Sequence, residues 1–118
     1  MPDTNTLTCH LLKLNCYFTD ETKQDEIFIK FNGKKIWPTD KKYVGVGLGD
    51  VDINVKLEGI TPHETLTLEV WDYDLWSPND LLGKCTMIID QKGGPFSTDM
   101  VPIKGTDKAR YTLEWQAD

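Results

Sequence analysis

The chain has 118 residues, the length of one domain, because a second hydrophobic core would leave each half with too little apolar surface to bury. Hydrophobic residues make up 39% and charged residues 27%, which covers a core and excludes disorder. The formal net charge of −6 repels nucleic acid and excludes it as a partner. We therefore predict a single domain over residues 1–118, acting as a monomer, that needs a basic patch or added cations to approach an acidic membrane.

The cysteines and the lengths of the apolar runs indicate in which compartment the protein is expected. Cys9, Cys16 and Cys85 are odd in number and show no metal-binding spacing, so we expect free, buried thiols rather than disulfides or a zinc site. The chain begins with polar residues and contains no apolar run long enough for a signal sequence or a membrane span. We expect a soluble cytoplasmic protein; a domain cut from a longer protein would have the same features.

Apolar and polar residues alternate with a period of two between closely spaced turn signals, which predicts an all-β chain. Asn32-Gly33 favours the type I′ turn of a hairpin, Pro38 ends its second strand, and Gly93-Gly94-Pro95 reads as a turn. About eight strands of this kind predict an eight-stranded antiparallel β-sandwich. The predicted strands are residues 6–15, 25–31, 34–37, 51–58, 66–71, 82–89, 97–103 and 109–115.

Acidic residues stand where two predicted strands meet their loops. Asp72 and Asp74 continue the parity of the inward residues that end at Val70. The inward face of that strand is therefore apolar along its length and carries carboxylates at its end. Asp25 shares parity with Ile27 and opens its strand in the same way. Carboxylates brought together in this way need a hard cation, and oxygen ligands suit calcium. If the two loops are neighbours, the calcium ligands are Asp20, Asp25, Asp72, Asp74 and Asp80.

Other motifs that contain Asp-x-Asp do not fit this segment. An EF-hand would place Trp76 at its fifth position, Ser77 at its glycine and Gly83 at its closing glutamate. A glycosyltransferase-like Asp-x-Asp is a weak signal, and the chain is too short for a nucleotide-sugar fold.

The segment from Asp72 to Gly83 resembles the third calcium-binding loop of C2 domains, in which Asp-x-Asp is followed by five residues, an Asp, two apolar residues and Gly. The stretch from Thr19 to Phe28 resembles the first loop, although its spacing is one residue shorter and Glu26 replaces the usual Pro. Residues 43–54 lack the family's Asn-Pro-x-Trp/Phe. The resemblance implies the second topological variant of the family, with bound calcium bridging aspartates and lipid phosphates.

Two further features bear on membrane contact. Leu75 and Trp76 lie at the predicted tip of the acidic loop, where they either enter the headgroup region or prop the loop from inside. The lysines near the hairpin either form a strip resembling the phosphoinositide-binding surface of some C2 domains or are ordinary solvated residues that protect a sheet edge. This lysine strip consists of Lys30, Lys34, Lys35, Lys41 and Lys42.

The sequence therefore predicts a calcium-dependent module that binds anionic phospholipid membranes peripherally. A protein-interaction or scaffold module, in which calcium is structural or absent, is the alternative. A calcium-stabilised carbohydrate-binding module with exposed Trp is a third possibility. No nucleophile or acid–base pair is visible, so we expect no enzyme activity.

Overall fold

A computed structural model describes residues 6–19, 24–76, 78–101 and 109–118. Within them the chain forms strands joined by turns, and none of these residues belongs to a helix with the length and apolarity that crossing a membrane requires. The strands are β1 (Leu7–Phe18), β2 (Asp25–Phe31), β3 (Lys34–Trp37), β4 (Val44–Val46), β5 (Gly49–Ile60), β6 (Thr65–Asp72), β7 (Asp80–Ile88), β8 (Gly93–Met100) and β9 (Arg110–Ala117).

The strands form two antiparallel sheets that pack face to face. One sheet has the order β5-β1-β9-β8, and the other has the order β3-β2-β6-β7 with β4 also paired to β2. Side chains from both inner faces make one core. Its fully buried members include Leu11, Leu14, Ile27, Leu68 and Leu113. The predicted all-β antiparallel sandwich is therefore confirmed.

The predicted alternation decides which side chains reach this core. In β6 the residues from Leu66 to Val70 alternate between buried and half-buried. Phe28 is an exception, because its parity points it away from the core and yet it is buried. Its ring stacks on that of Trp71 in the adjacent strand, with ring centroids 6.4 Å apart, so a cross-strand aromatic pair covers it on the outer face.

The described part of the chain forms nine strands rather than the predicted eight. The additional strand, β4, lies in the segment that departs from the C2 pattern, and it is too short to show an alternation. It forms because Val44, Gly45 and Val46 pair with the first residues of β2. The expected turn at Gly93-Gly94-Pro95 is wrong, since these residues begin β8 at a sheet edge, where a proline needs no ladder partner for its nitrogen.

Other local predictions are confirmed. Asn32 and Gly33 both have positive φ, 48° and 87°, as a type I′ turn requires. The partner strand β3 stops at Trp37, directly before Pro38. Cys9, Cys16 and Cys85 are free and buried.

Connections between the two sheets place several loops at one end of the sandwich, which we call the loop end. Residues 19–24 join the end of β1 in one sheet to the start of β2 in the other, and Gly47-Leu48 joins β4 to β5. Phe18 pairs with Arg110, so β9 also begins at this end. β6 ends and β7 begins here as well, because Asp72 pairs with both Ile27 and Asp80.

Gly83, the last residue of the C2-like loop motif, lies in β7 where the two sheets approach each other closely. A Cβ atom at this position would lie 2.9 Å from the backbone oxygen of Met100 and 3.0 Å from its Cβ. The motif therefore ends in glycine because the backbone of β8 occupies the place of a side chain.

Replacing Gly83 by alanine is expected to lower the free energy of unfolding by about 2 kcal/mol, because the added methyl group meets backbone that cannot move aside. Gly45→Ala is the matched control, since the three atoms nearest to a Cβ there all belong to the flexible side chain of Gln24. Urea unfolding curves of both variants measure the difference. Equal unfolding midpoints would contradict this account of Gly83.

Candidate functional site

The loop end gathers the predicted acidic residues of the second sheet. Asp25 opens β2, Asp72 closes β6 and Asp80 opens β7. These three strands are adjacent, and Asp72 pairs directly with Asp80 and with Ile27, two residues beyond Asp25. Asp25 and Asp72 are buried, with 0% and 4% of their surface exposed. Both carboxylates therefore point inward, as predicted. The acidic rim comprises Asp25, Asp72, Asp74 and Asp80.

Asp25 is held by a residue from the opposite sheet. The Tyr111 hydroxyl donates a hydrogen bond of 2.6 Å to Asp25 Oδ2, and both residues are buried. Burial first, and then this hydrogen bond, raise the pKa of Tyr111 far above its ordinary value of 10.0, so the phenol stays protonated and keeps donating. The bond joins β2 to β9 and orients the carboxylate at the rim.

Sequence reasoning missed this partner. Tyr111 shares parity with the buried Leu113 in the last predicted strand, and that signal places its ring inside. Parity does not say which polar group of the facing sheet the hydroxyl meets, because this depends on how the two sheets are stacked.

Asp72 is held by main chain. Its Oδ1 accepts a hydrogen bond of 2.9 Å from the backbone N–H of Glu26, and the N–H of Tyr73 donates to the carbonyl of Glu26 at 2.7 Å. These contacts continue the pairing of β2 and β6 beyond the end of the sheet. The position of Asp72 therefore follows from the strand register and not from a flexible loop.

The rest of the acidic loop is more exposed. Asn79 Oδ1 accepts from the backbone N–H of Asp74 at 2.8 Å, and Asp74 Oδ1 accepts from the N–H of Trp76 at 2.9 Å. Asp74 is half-buried, whereas Asp80 is exposed. The two side-chain bonds close the loop on itself.

The chemistry of the rim fits calcium, because carboxylate oxygens are ligands that this ion prefers. Within residues 6–19, 24–76, 78–101 and 109–118, however, no three His, Cys, Asp or Glu side chains form a group that could hold a metal ion. Asp20, the remaining predicted ligand, lies outside the described residues. The structure thus brings Asp25, Asp72 and Asp80 to neighbouring strand ends without assembling a three-ligand centre.

Leu75 and Trp76 project from the tip of the acidic loop. Their side chains are 67% and 91% exposed, so Trp76 is not an inward prop of the loop. They line a cleft of about 410 Å³ together with Tyr43 and Tyr73, whose stacked rings have centroids 5.3 Å apart.

The lysine strip follows the β2–β3 side of the second sheet. Lys30 pairs with Lys35, and its ammonium lies 4.7 Å from the centre of the Trp71 ring. Lys35 Nζ donates to the Lys41 carbonyl at 2.6 Å, and Lys42 Nζ lies 5.8 Å from the centre of the Tyr73 ring. Lys34 is exposed in β3. The predicted lysines thus run from the hairpin toward the loop end along one side of the domain.

Comparisons with known proteins agree with this architecture. No protein-family model and no curated protein matches the chain. Among solved structures, a C2 domain of plant extended synaptotagmin 1 is similar at 14% identity and a TM-score of 0.60, over 95% of this chain and 91% of that one. A further C2 domain is similar at 18% identity and a TM-score of 0.57, over 95% of each chain.

The chain therefore has a C2 fold. This confirms the fold that the third-loop motif predicted. The strand order agrees with the second topological variant, because β1 leads directly into the first acidic segment and the last strand, β9, lies beside β1.

Removal of the Tyr111 hydroxyl is expected to destabilise the fold, because Asp25 then loses a buried hydrogen bond donor. We expect Tyr111→Phe to lower the free energy of unfolding by about 2 kcal/mol. Tyr17→Phe is the control, since Tyr17 is exposed and its hydroxyl can be lost at a cost of about 0.5 kcal/mol or less. Denaturant unfolding measures both. A Tyr111 variant as stable as the control would show that the contact with Asp25 contributes nothing.

Proposed function

We propose that the protein is a non-catalytic module that binds anionic phospholipid membranes through its loop end when calcium is present. The observation that carries this proposal is that the acidic rim lies next to an exposed apolar tip, formed by Leu75 and Trp76. Two carboxylates are buried at strand ends, and within a few residues of Asp72 the Trp76 side chain is 91% exposed. An apolar tip beside cation ligands suits a surface that is anionic outside and apolar beneath.

Charge explains why a cation is needed. The chain has a net charge of −6, and the acidic rim faces the same way as the apolar tip, so an anionic surface repels this end. The residues that would hold calcium are Asp20, Asp25, Asp72, Asp74 and Asp80. Bound calcium supplies positive charge between these carboxylates and lipid phosphates, which reverses the sign of the local field.

The lysine strip supplies a second source of attraction. It lies on the side of the second sheet, and Lys42 reaches Tyr73 next to the acidic loop. Lysines near an anionic membrane each contribute about 1 kcal/mol of attraction. On this proposal the protein is a cytoplasmic monomer, formed by a single domain over residues 1–118, that moves to membranes peripherally.

The protein-interaction or scaffold module is a second candidate, favoured by a specific observation. The carboxylates of Asp25 and Asp72 already accept hydrogen bonds from Tyr111 and from the Glu26 backbone, and the described residues form no three-ligand group. A domain of this kind keeps its loops in place without calcium. The two candidates differ in what calcium does to the protein and to its affinity for lipid.

Calcium titration and vesicle sedimentation distinguish them. The unaltered protein is expected to sediment with mixed phosphatidylcholine–phosphatidylserine vesicles in calcium and to stay in solution with a chelator. Calcium should also raise the melting temperature, because a ligand that binds only the folded state stabilises it. Asp80→Asn is expected to weaken calcium binding about tenfold or more, since it removes a ligand charge from the rim.

Asp90→Asn is the matched control, because Asp90 is an exposed aspartate that follows β7 at the opposite end of the sandwich. It should bind calcium and vesicles like the unaltered protein. If calcium changes neither melting nor sedimentation, the calcium-dependent function is wrong and the scaffold module remains. If calcium binds but the protein stays in solution with vesicles of every composition, the lipid-binding function is wrong and the scaffold module remains.

Trp76 is expected to contribute to lipid affinity without contributing to folding. Because its side chain is 91% exposed, Trp76→Ser should change the free energy of unfolding by about 0.5 kcal/mol or less. Its affinity for vesicles in calcium should fall about tenfold or more, since the indole no longer enters the headgroup region. Unchanged sedimentation, measured alongside calorimetry of calcium binding, would show that the tip does not touch lipid.

A further inference from the structure

One lysine of the lysine strip also lies beside the acidic loop. Lys42 lines the cleft of about 410 Å³ that Leu75 and Trp76 border, together with the acidic residues Glu26 and Asp74. Lys42 is the cationic residue of this lining. The acidic loop therefore has a positive charge from its own chain next to it.

A pair of stacked tyrosine rings positions this lysine. The Lys42 ammonium lies 5.8 Å from the centre of the Tyr73 ring, and the Tyr43 ring stacks on that of Tyr73. The Tyr43 hydroxyl donates a hydrogen bond to the Glu26 carboxylate, and this bond is the main cause that raises the pKa of Tyr43. The Tyr73 N–H donates to the Glu26 carbonyl at 2.7 Å. Both rings are thus tied to the second residue of β2, and they hold the ammonium beside Asp74.

The contact between Lys42 and the Tyr73 ring is a weak one. Lys42 is exposed, and a cation over a ring at an exposed site gains little free energy, because water solvates the ammonium as well. Such a contact keeps a positive charge near the carboxylates without fixing it there. A cation of higher charge can therefore displace it.

We propose that Lys42 is an internal counter-ion of the acidic loop, with which calcium competes. This inference rests on the proposed calcium-dependent function and adds that a residue of the chain itself sets how much calcium the loop requires. Calcium carries twice the charge of an ammonium group and prefers carboxylate oxygens, so carboxylates attract it more strongly. Once calcium is bound, its charge repels the Lys42 ammonium from the Tyr73 ring.

Electrostatics gives the size of the expected effect. A unit charge about 10 Å from a divalent ion in water changes the affinity for that ion about threefold at low salt. In about 1 M salt the screening length falls to about 3 Å, which removes the effect. Dependence on salt therefore distinguishes a counter-ion from a lysine that only packs on the tyrosine ring.

Calorimetry of calcium binding tests this role of Lys42. The variant Lys42→Met loses the charge and keeps an unbranched side chain. It is expected to bind calcium about threefold more tightly than the unaltered protein in about 0.01 M salt, and equally tightly in about 1 M salt. The variant Lys42→Arg keeps the charge and should bind calcium like the unaltered protein in both solutions.

Lys92→Met is the matched control, because it removes the same charge at the opposite end of the sandwich. Lys92 is exposed and follows β7, a strand of nine residues that begins at Asp80 and is about 30 Å long. Its loss should change calcium affinity by less than about 1.5-fold. Without calcium all the lysine variants should melt like the unaltered protein, since both lysines are exposed.

Nuclear magnetic resonance reports the position of the lysine directly. Protons above an aromatic ring resonate upfield, so without calcium the Hε signals of Lys42 should lie upfield of those of Lys92. Added calcium should move them back toward the Lys92 position. In the calcium-free variant Tyr73→Leu the upfield displacement should be absent.

The outcomes separate this inference from the function on which it rests. If the unaltered protein binds calcium and Lys42→Met binds it no more tightly than Lys92→Met in low salt, the counter-ion role is wrong while calcium binding stands. Weaker calcium binding by Lys42→Met, or Hε signals that calcium leaves unmoved, would also overturn it. If the unaltered protein binds no calcium in either solution, both proposals fail.

Discussion

The loop end of this sandwich is organised by two aspartates that point inward where the core stops. Asp25 and Asp72 continue the buried faces of β2 and β6, and a buried carboxylate is unfavourable unless it is hydrogen-bonded or paired. The Tyr111 hydroxyl satisfies one and the Glu26 backbone satisfies the other. Because these donors come from the opposite sheet and from the adjacent strand, the carboxylates stay in place only while the two sheets and their register stay in place.

This arrangement couples the fold to the proposed chemistry. The positions of the buried aspartates are fixed by the strands that contain them, whereas Asp80 and the apolar tip are exposed to solvent. A cation that joins the two groups would link a fixed part of the molecule to an exposed part. On the proposed function, the strands would position the ligands and the loops would meet the partner.

The distribution of charge and apolar surface is uneven. Among the described residues, large exposed apolar side chains occur at the loop end on both sheets, and the lysine strip runs along one side of the second sheet toward it. The chain as a whole has a net charge of −6, which repels anionic surfaces. On the proposed function, the loop end would face the membrane, because it combines the exposed Leu75 and Trp76 with the acidic rim.

The sequence by itself determined the fold class, most strands, the type I′ hairpin and the inward direction of Asp25 and Asp72, because each depends on local parity or turn chemistry. Strand β4 escaped prediction, since three residues are too few to show an alternation and their pairing with β2 is a long-range contact. The Tyr111–Asp25 bond also escaped it. Only the tertiary structure decided these, because they depend on which strands are adjacent and how the sheets stack, and periodicity along one strand carries no information about either.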